Sequence, residues 1–223
     1  MRAALLTAIL LGALCAPAPA QTIWSRPYQP NQIAVETLVP ERPAATTSVG
    51  SGALFLTLTR SLNNNVELVT ELPVARNGGT GSSTTVVGNP YVGLGLSSGT
   101  LPLLLELGVR IPAVPTNAAQ AVGRQADLGR TAAFRDESIS GSALLNGRVP
   151  LGRNTSLRLR VGLTYGSASA DSASTNEQRW GIPYSAQLWQ EGERFWTGLS
   201  IVGRPTLTDA PFDDQRSTHR AVV

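Results

Sequence analysis

The chain has 223 residues, a formal net charge of +3, 15% charged residues, one cysteine and one histidine. Every basic residue is arginine, and the arginines are scattered rather than clustered, so the charge leaves no footprint for nucleic acid. Beyond the N-terminal leader no run approaches eighteen consecutive apolar residues, which excludes a helical membrane span and leaves a closed barrel as the one integral way across a bilayer.

Residues 1–20 read as an export signal. Arg2 supplies the positive end, residues 3–15 an apolar stretch too short to span as a helix, and Ala18-Pro19-Ala20 a cleavage site before Gln21. Leu14 before Cys15 does not fit a lipobox, and cleavage removes the only cysteine, so no disulfide holds the mature chain. Residues 21–31 form an extended lead-in, with Pro27 and Pro30 blocking helix. Residues 32–223 then read as one large β domain, rich in Gly, Ser, Thr, Leu and Val.

Within that domain, segments with a side-chain period of two recur. Residues 33–39 set Ile33, Val35 and Val39 against Ala34, Glu36 and Leu38. Residues 52–60 alternate Leu54, Leu56 and Leu58 with Phe55, Thr57 and Thr59. After the turn Asn63-Asn64-Asn65, residues 66–75 place Val66, Leu68, Leu72 and Val74 opposite Glu67, Val69 and Glu71. Residues 86–96 put Val92, Leu94 and Leu96 away from Asn89, Tyr91, Gly93 and Gly95. The clearest case is residues 101–112, LPLLLELGVRIP, whose odd positions are all aliphatic and whose even positions hold Glu106 and Arg110. The pattern then lapses. Residues 117–134 contain helix formers, but Gly123 and Gly129 each cost about 1 kcal/mol relative to Ala, so a long loop with a short helix is expected. Alternation resumes over residues 139–149, 155–165, 179–189 and 194–204, and residues 217–223 begin another strand.

The connections alternate too. Residues 61–65, 97–100, 150–154 and 190–192 are short, whereas 41–48, 77–84, 112–138, 166–178 and 205–216 are longer. Short turns at one end and long loops at the other are the plan of an antiparallel up-and-down (meander) transmembrane β-barrel, with nine to ten strands in this chain. On that plan the apolar faces meet lipid and the polar faces line a lumen. The lumen-facing set is Glu67, Glu71, Glu106, Arg110, Arg148, Arg158, Arg160, Arg179, Arg194 and Arg204, with Glu36 on the same parity. These residues have two readings: a pore whose arginines set solute preference, or arginine–carboxylate pairs filling a closed interior. By parity Trp189 and Trp196 fall on the polar face and pack inside.

Four stretches carry a resemblance: LVTELPVAR at 68–76, VGNPYVGL at 87–94, VPLGR at 149–153 and YSAQLWQEGERFWT at 184–197. They resemble bacterial outer-membrane β-barrel proteins of the MetA-pathway phenol-degradation, transporter-like group, over most of residues 50–220. The resemblance implies a barrel and passage of small, including aromatic, compounds, and it implies no catalytic residue. Such barrels end in a strand with a terminal aromatic, whereas this chain stops at Val222-Val223. A barrel of about twelve strands in full, with its last strands missing here, is therefore expected.

The expected partners are the outer-membrane bilayer, the barrel-assembly machinery and a small solute. No cofactor, metal site or catalytic residue is expected. Gly95-Leu96-Ser97-Ser98-Gly99 spells GxSxG but falls at a turn between two alternating segments rather than at a strand-to-helix turn, there is no His/Cys cluster, and Gly78-Gly79-Thr80-Gly81 lacks the lysine of a phosphate-binding loop. The lone His219 lies in the tail, so a hydrolase is not favoured. A soluble secreted β-sandwich that binds a ligand is the alternative from another class.

Overall fold

The computed structural model of the chain describes residues 31–39, 50–78, 83–97, 102–115, 117–135, 138–168, 177–191, 196–205, 207 and 218–222. The export signal and nearly all of the lead-in lie outside these residues. The described chain is all-β apart from one segment. Its strands are β1 (Gln32–Leu38), β2 (Gly52–Ser61), β3 (Val66–Asn77), β4 (Thr84–Val87), β5 (Tyr91–Ser97), β6 (Leu103–Arg110), β7 (Ser138–Pro150), β8 (Thr155–Ala168), β9 (Glu177–Gly181), β10 (Tyr184–Glu191), β11 (Trp196–Arg204) and β12 (Thr218–Val222).

All pairings are antiparallel, and the sheet runs β1-β2-β3-β5-β6-β7-β8-β10-β11-β12 in chain order. This is the expected meander, curled into a partial barrel. Among the described residues β1 pairs only with β2 and β12 only with β11.

Two expected strands are each broken in two. Residues 86–96 divide into β4 and β5 around Gly88-Asn89-Pro90, and residues 179–189 divide into β9 and β10 around Ile182-Pro183. Proline has no N–H for the ladder, so each break falls at the proline. The proline carbonyls still serve: Pro90 accepts from Ile111 N–H at 3.0 Å and Pro183 from Gly162 N–H at 3.0 Å. Both halves of each broken strand therefore keep one neighbour, β3 for β4 and β5, β8 for β9 and β10. The β2–β3 turn closes on Asn63, whose side-chain oxygen accepts from the Asn65 and Val66 N–H groups, both at 2.9 Å.

Strand parity gives the sheet two unlike faces. Leu56, Leu58, Leu94, Leu96, Leu105, Leu107, Leu145, Leu159, Leu163, Leu188, Leu199 and Ile201 are exposed on the outside of the curl. Glu36, Thr57, Glu67, Glu71, Glu106, Arg110, Ser185, Gln187 and Ser200 are buried on the inside. A water-soluble sandwich buries its leucines and exposes its charges, so this burial pattern is inverted.

The connection between β6 and β7 folds into the curl. It carries α1 (Ala118–Ala126), capped by Asn117, whose side chain accepts from Gln120 N–H at 3.1 Å. Short 3₁₀ turns over Leu128–Phe134 follow, kinked at Arg130. The short helix expected in this loop is present despite Gly123. A Cβ there would run into the Phe134 ring, so the helix gives up propensity to let the ring lie flat against it. Helix α1 packs on β2, β3 and β4. The apolar core is formed here, with Leu38, Ala53, Phe55, Ala75 and Val86 of the wall against Val114, Ala119, Ala126, Ala133 and Phe134 of the inward segment.

Candidate functional site

The inner wall differs from one side to the other. On β1–β6 the inward positions hold carboxylates, and the inward segment lies against them. Arg130 stands at the centre, 2% exposed. Its Nη2 donates to Glu36 on β1 at 2.8 Å, its Nη1 to Glu71 on β3 at 3.0 Å and its Nε to Asp127 at 2.5 Å. The guanidinium carbon also sits 3.6 Å from the Phe55 ring centroid, and Phe55 meets Phe134 edge to face at 5.8 Å. Burial would lower the pKa of this guanidinium, but the carboxylates of Asp127, Glu71 and Glu36 outweigh it and raise it, so Arg130 is a fixed cation. Glu71 is shared: its other oxygen accepts from Arg110 of β6 at 2.6 Å.

Asn89, fully buried at the break between β4 and β5, holds both ends of the segment. Its Oδ1 accepts from Ala113 and Val114 N–H at 2.7 and 3.1 Å. Its Nδ2 donates to the Ala132 and Arg135 carbonyls at 3.0 and 2.6 Å. The Gly88-Asn89-Pro90 break thus serves as a clasp, which the reading of residues 86–96 as one strand did not suggest.

A second network lies toward the short-turn end. Tyr91 leans across Gly93 and Gly108, whose missing side chains make room for the ring. Its hydroxyl donates to Glu106 at 2.7 Å and lies 3.2 Å from Ser142 Oγ. The other Glu106 oxygen accepts from Arg160 on β8 at 2.8 Å. Glu67 stands in the same row, separated from Glu106 by Gly95, and its buried Oε2 has no hydrogen-bond partner among the described residues.

From β7 onward the inner wall changes to arginine, amide and hydroxyl. Arg148, Arg158 and Gln187 share one row across β7, β8 and β10, and the next holds Asn146, Arg160 and Ser185. Arg204 donates to Thr164 at 3.4 Å.

Of the ten residues expected in the lumen, nine are described, and all nine have inward parity. Arg194 lies outside the described residues. Glu71 with Arg110, and Glu106 with Arg160, are brought together as ion pairs. Arg148, Arg158, Arg179 and Arg204 lie beyond the acidic side. Trp189 packs inside as expected, 7% exposed, whereas the Trp196 side chain falls outside the description. Sequence reasoning missed Arg130, Asp127 and Asn89. The available signal was an Asp–x–x–Arg spacing inside a segment too polar to be strand yet too rich in alanine to be a solvated loop.

Among the described residues no group of three or more His, Cys, Asp or Glu is placed to hold a metal ion, and no helix is long and apolar enough to cross a membrane. Comparison with protein families, curated proteins and solved structures finds no match.

Proposed function

We propose that this chain is an exported outer-membrane β-barrel protein whose lumen passes small anionic solutes along its arginine-lined side. The observation that carries the reading is the inverted burial: among the described side chains, most mid-strand leucines and valines face outward, Val69 and Leu144 excepted, and the mid-strand charged groups face inward. Outward-facing arginines do occur, as Arg60 and Arg76, but both sit toward strand ends, where a long side chain reaches an interface. The short-turn, long-loop alternation supports the same orientation. On the acidic side Arg110 and Arg130 pair with Glu71, Glu36 and Asp127 and Arg160 pairs with Glu106, whereas the rest of the inner wall carries Arg148, Arg158, Arg179 and Arg204.

The two faces should respond differently to charge. Leu105→Arg or Leu159→Arg places a guanidinium in hydrocarbon at a cost of about 2–4 kcal/mol near the midplane. Either is expected to abolish heat-modifiable folding into phosphatidylcholine vesicles. Arg158→Gln on the inner face should fold normally. Equal sensitivity of both faces would contradict a barrel in lipid and favour a soluble sandwich. Reversal potentials across a planar bilayer test the lumen: anion preference is expected, shifting toward cations in the double variant Arg148→Gln/Arg158→Gln. Arg160 is the poorer choice for that test, because removing it strands Glu106.

A second reading, a closed barrel without transport, is favoured by the inward segment itself, which covers the β1–β4 wall with a packed core. A correctly folded protein that carries no current would establish it.

A further inference from the structure

We infer that Glu67 and Glu106 hold a small monovalent metal cation, of the size and hardness of sodium, in the buried wall formed by β3, β5 and β6. The inference needs both carboxylates on the inner face and does not depend on whether the lumen conducts. Register places Glu67 of β3, Gly95 of β5 and Glu106 of β6 side by side on that face. Gly95 is what lets the two carboxylates approach. A Cβ there would lie 2.5 Å from Glu67 Cγ and Oε1 and 2.8 Å from its Cδ. The Glu67 side chain therefore runs flat across the intervening strand toward Glu106, whose charge it feels.

The charge of this row does not balance. Glu106 is compensated, since the Tyr91 hydroxyl donates to its Oε1 at 2.7 Å and Arg160 Nη2 to its Oε2 at 2.8 Å. Glu67 is 3% exposed, and its buried Oε2 meets no donor among the described residues. Its partner in register on β2 is Ser61, and beyond Glu106 the row continues into the buried Leu144. Val69, also buried, follows Glu67 on the same face of β3. Two carboxylates thus share one guanidinium in a shielded setting, where an unpaired charge costs far more than at a surface. A water molecule would satisfy Oε2 as an acceptor but leave the charge, whereas a cation satisfies both. Each Glu106 oxygen accepts one hydrogen bond from the described residues and keeps a lone pair for a further partner. An all-oxygen donor set suits a hard ion. One charge remains to be balanced, and among the described residues no third His, Cys, Asp or Glu joins the pair. That fits a monovalent ion better than calcium, which takes about six to eight oxygens.

The test is sodium-23 NMR of the full chain, refolded in a non-ionic detergent at pH 8, with choline chloride holding the ionic strength constant. Heat-modifiable mobility serves as the check that each variant is folded. Broadening of the sodium line beyond that of protein-free detergent is expected. Glu67→Gln, which keeps the shape and removes the charge, should weaken binding about tenfold or more. Gly95→Ala keeps both carboxylates but takes the space that Glu67 crosses, and should weaken binding comparably. Glu67→Asp draws the charged group back by one methylene and carries the test if either of those variants misfolds, with a severalfold loss expected. Absence of excess broadening would overturn the ion and leave Glu67 as a carboxyl that keeps its proton. Broadening undiminished in Glu67→Gln and Gly95→Ala would also overturn it, in favour of general attraction to the acidic wall. Displacement of sodium by equimolar calcium would overturn the assignment to a monovalent ion. Sodium binding by a barrel that carries no current would keep the site and remove only the pore reading.

Discussion

Arg130→Met should release the inward segment from the wall. The substitution keeps much of the side-chain volume but leaves Glu36, Glu71 and Asp127 without the cation that links them, and all three are buried. Removing one partner of a buried ion pair costs about 3–5 kcal/mol. Arg110 still compensates Glu71, so the loss should fall on docking more than on the strands. Hydrogen exchange should rise across residues 111–135 while amides of β7 and β8 stay protected, and conductance should increase if the segment narrows the lumen. Arg130→Lys should recover part of the effect, since one ammonium cannot reproduce three separate guanidinium contacts. Exchange unchanged from the parent protein would mean that packing alone holds the segment.

Asn89→Leu should have an effect of similar size through a different route. Four backbone groups of the segment depend on that side chain, two N–H groups and two carbonyls. Each buried polar group left unsatisfied costs about 1–3 kcal/mol. Asn89→Asp keeps the acceptor for Ala113 and Val114 and loses the donor to Ala132 and Arg135, so roughly half of the destabilisation is expected. Limited proteolysis within residues 111–137 distinguishes the cases. Ready cleavage of the leucine variant, slower cleavage of the aspartate variant and resistance of the parent protein form the expected order. Indifference to both substitutions would show that the clasp contributes nothing to retention.

The wall of this barrel was legible because a strand writes its facing into every second residue. Leu103, Leu105, Leu107 and Val109 against Glu106 and Arg110 left one assignment once the neighbouring segments showed the same parity. The strand breaks at Pro90 and Pro183 are also written in the sequence, but each proline lies inside a longer alternating run whose parity continues past it. The inward segment was not legible. Its partners lie far back in the chain: Arg130 reaches Glu71 across 59 residues and Glu36 across 94. No local period reports a contact of that kind. Gly123 and Gly129 argued for loop on propensity, while tertiary packing against Phe134 requires Gly123 to have no side chain.

The position of that segment has a consequence for the order of assembly. Glu36, Phe55, Glu71 and Asn89 all precede it in the chain, so its whole cradle emerges before it does. Strands β1–β6 and the segment can therefore close as one cooperative unit, by successive short loop closures between neighbouring hairpins, while β7–β12 are still unpaired. Once docked, the segment gives the growing sheet a filled interior with a surplus of carboxylates, and Arg160 of β8 then reaches one of them, Glu106. During refolding, pulse-labelled amides in residues 118–134 should gain protection no later than those of β8 and β10. Later protection would mean instead that the sheet forms first and the segment threads into it afterwards.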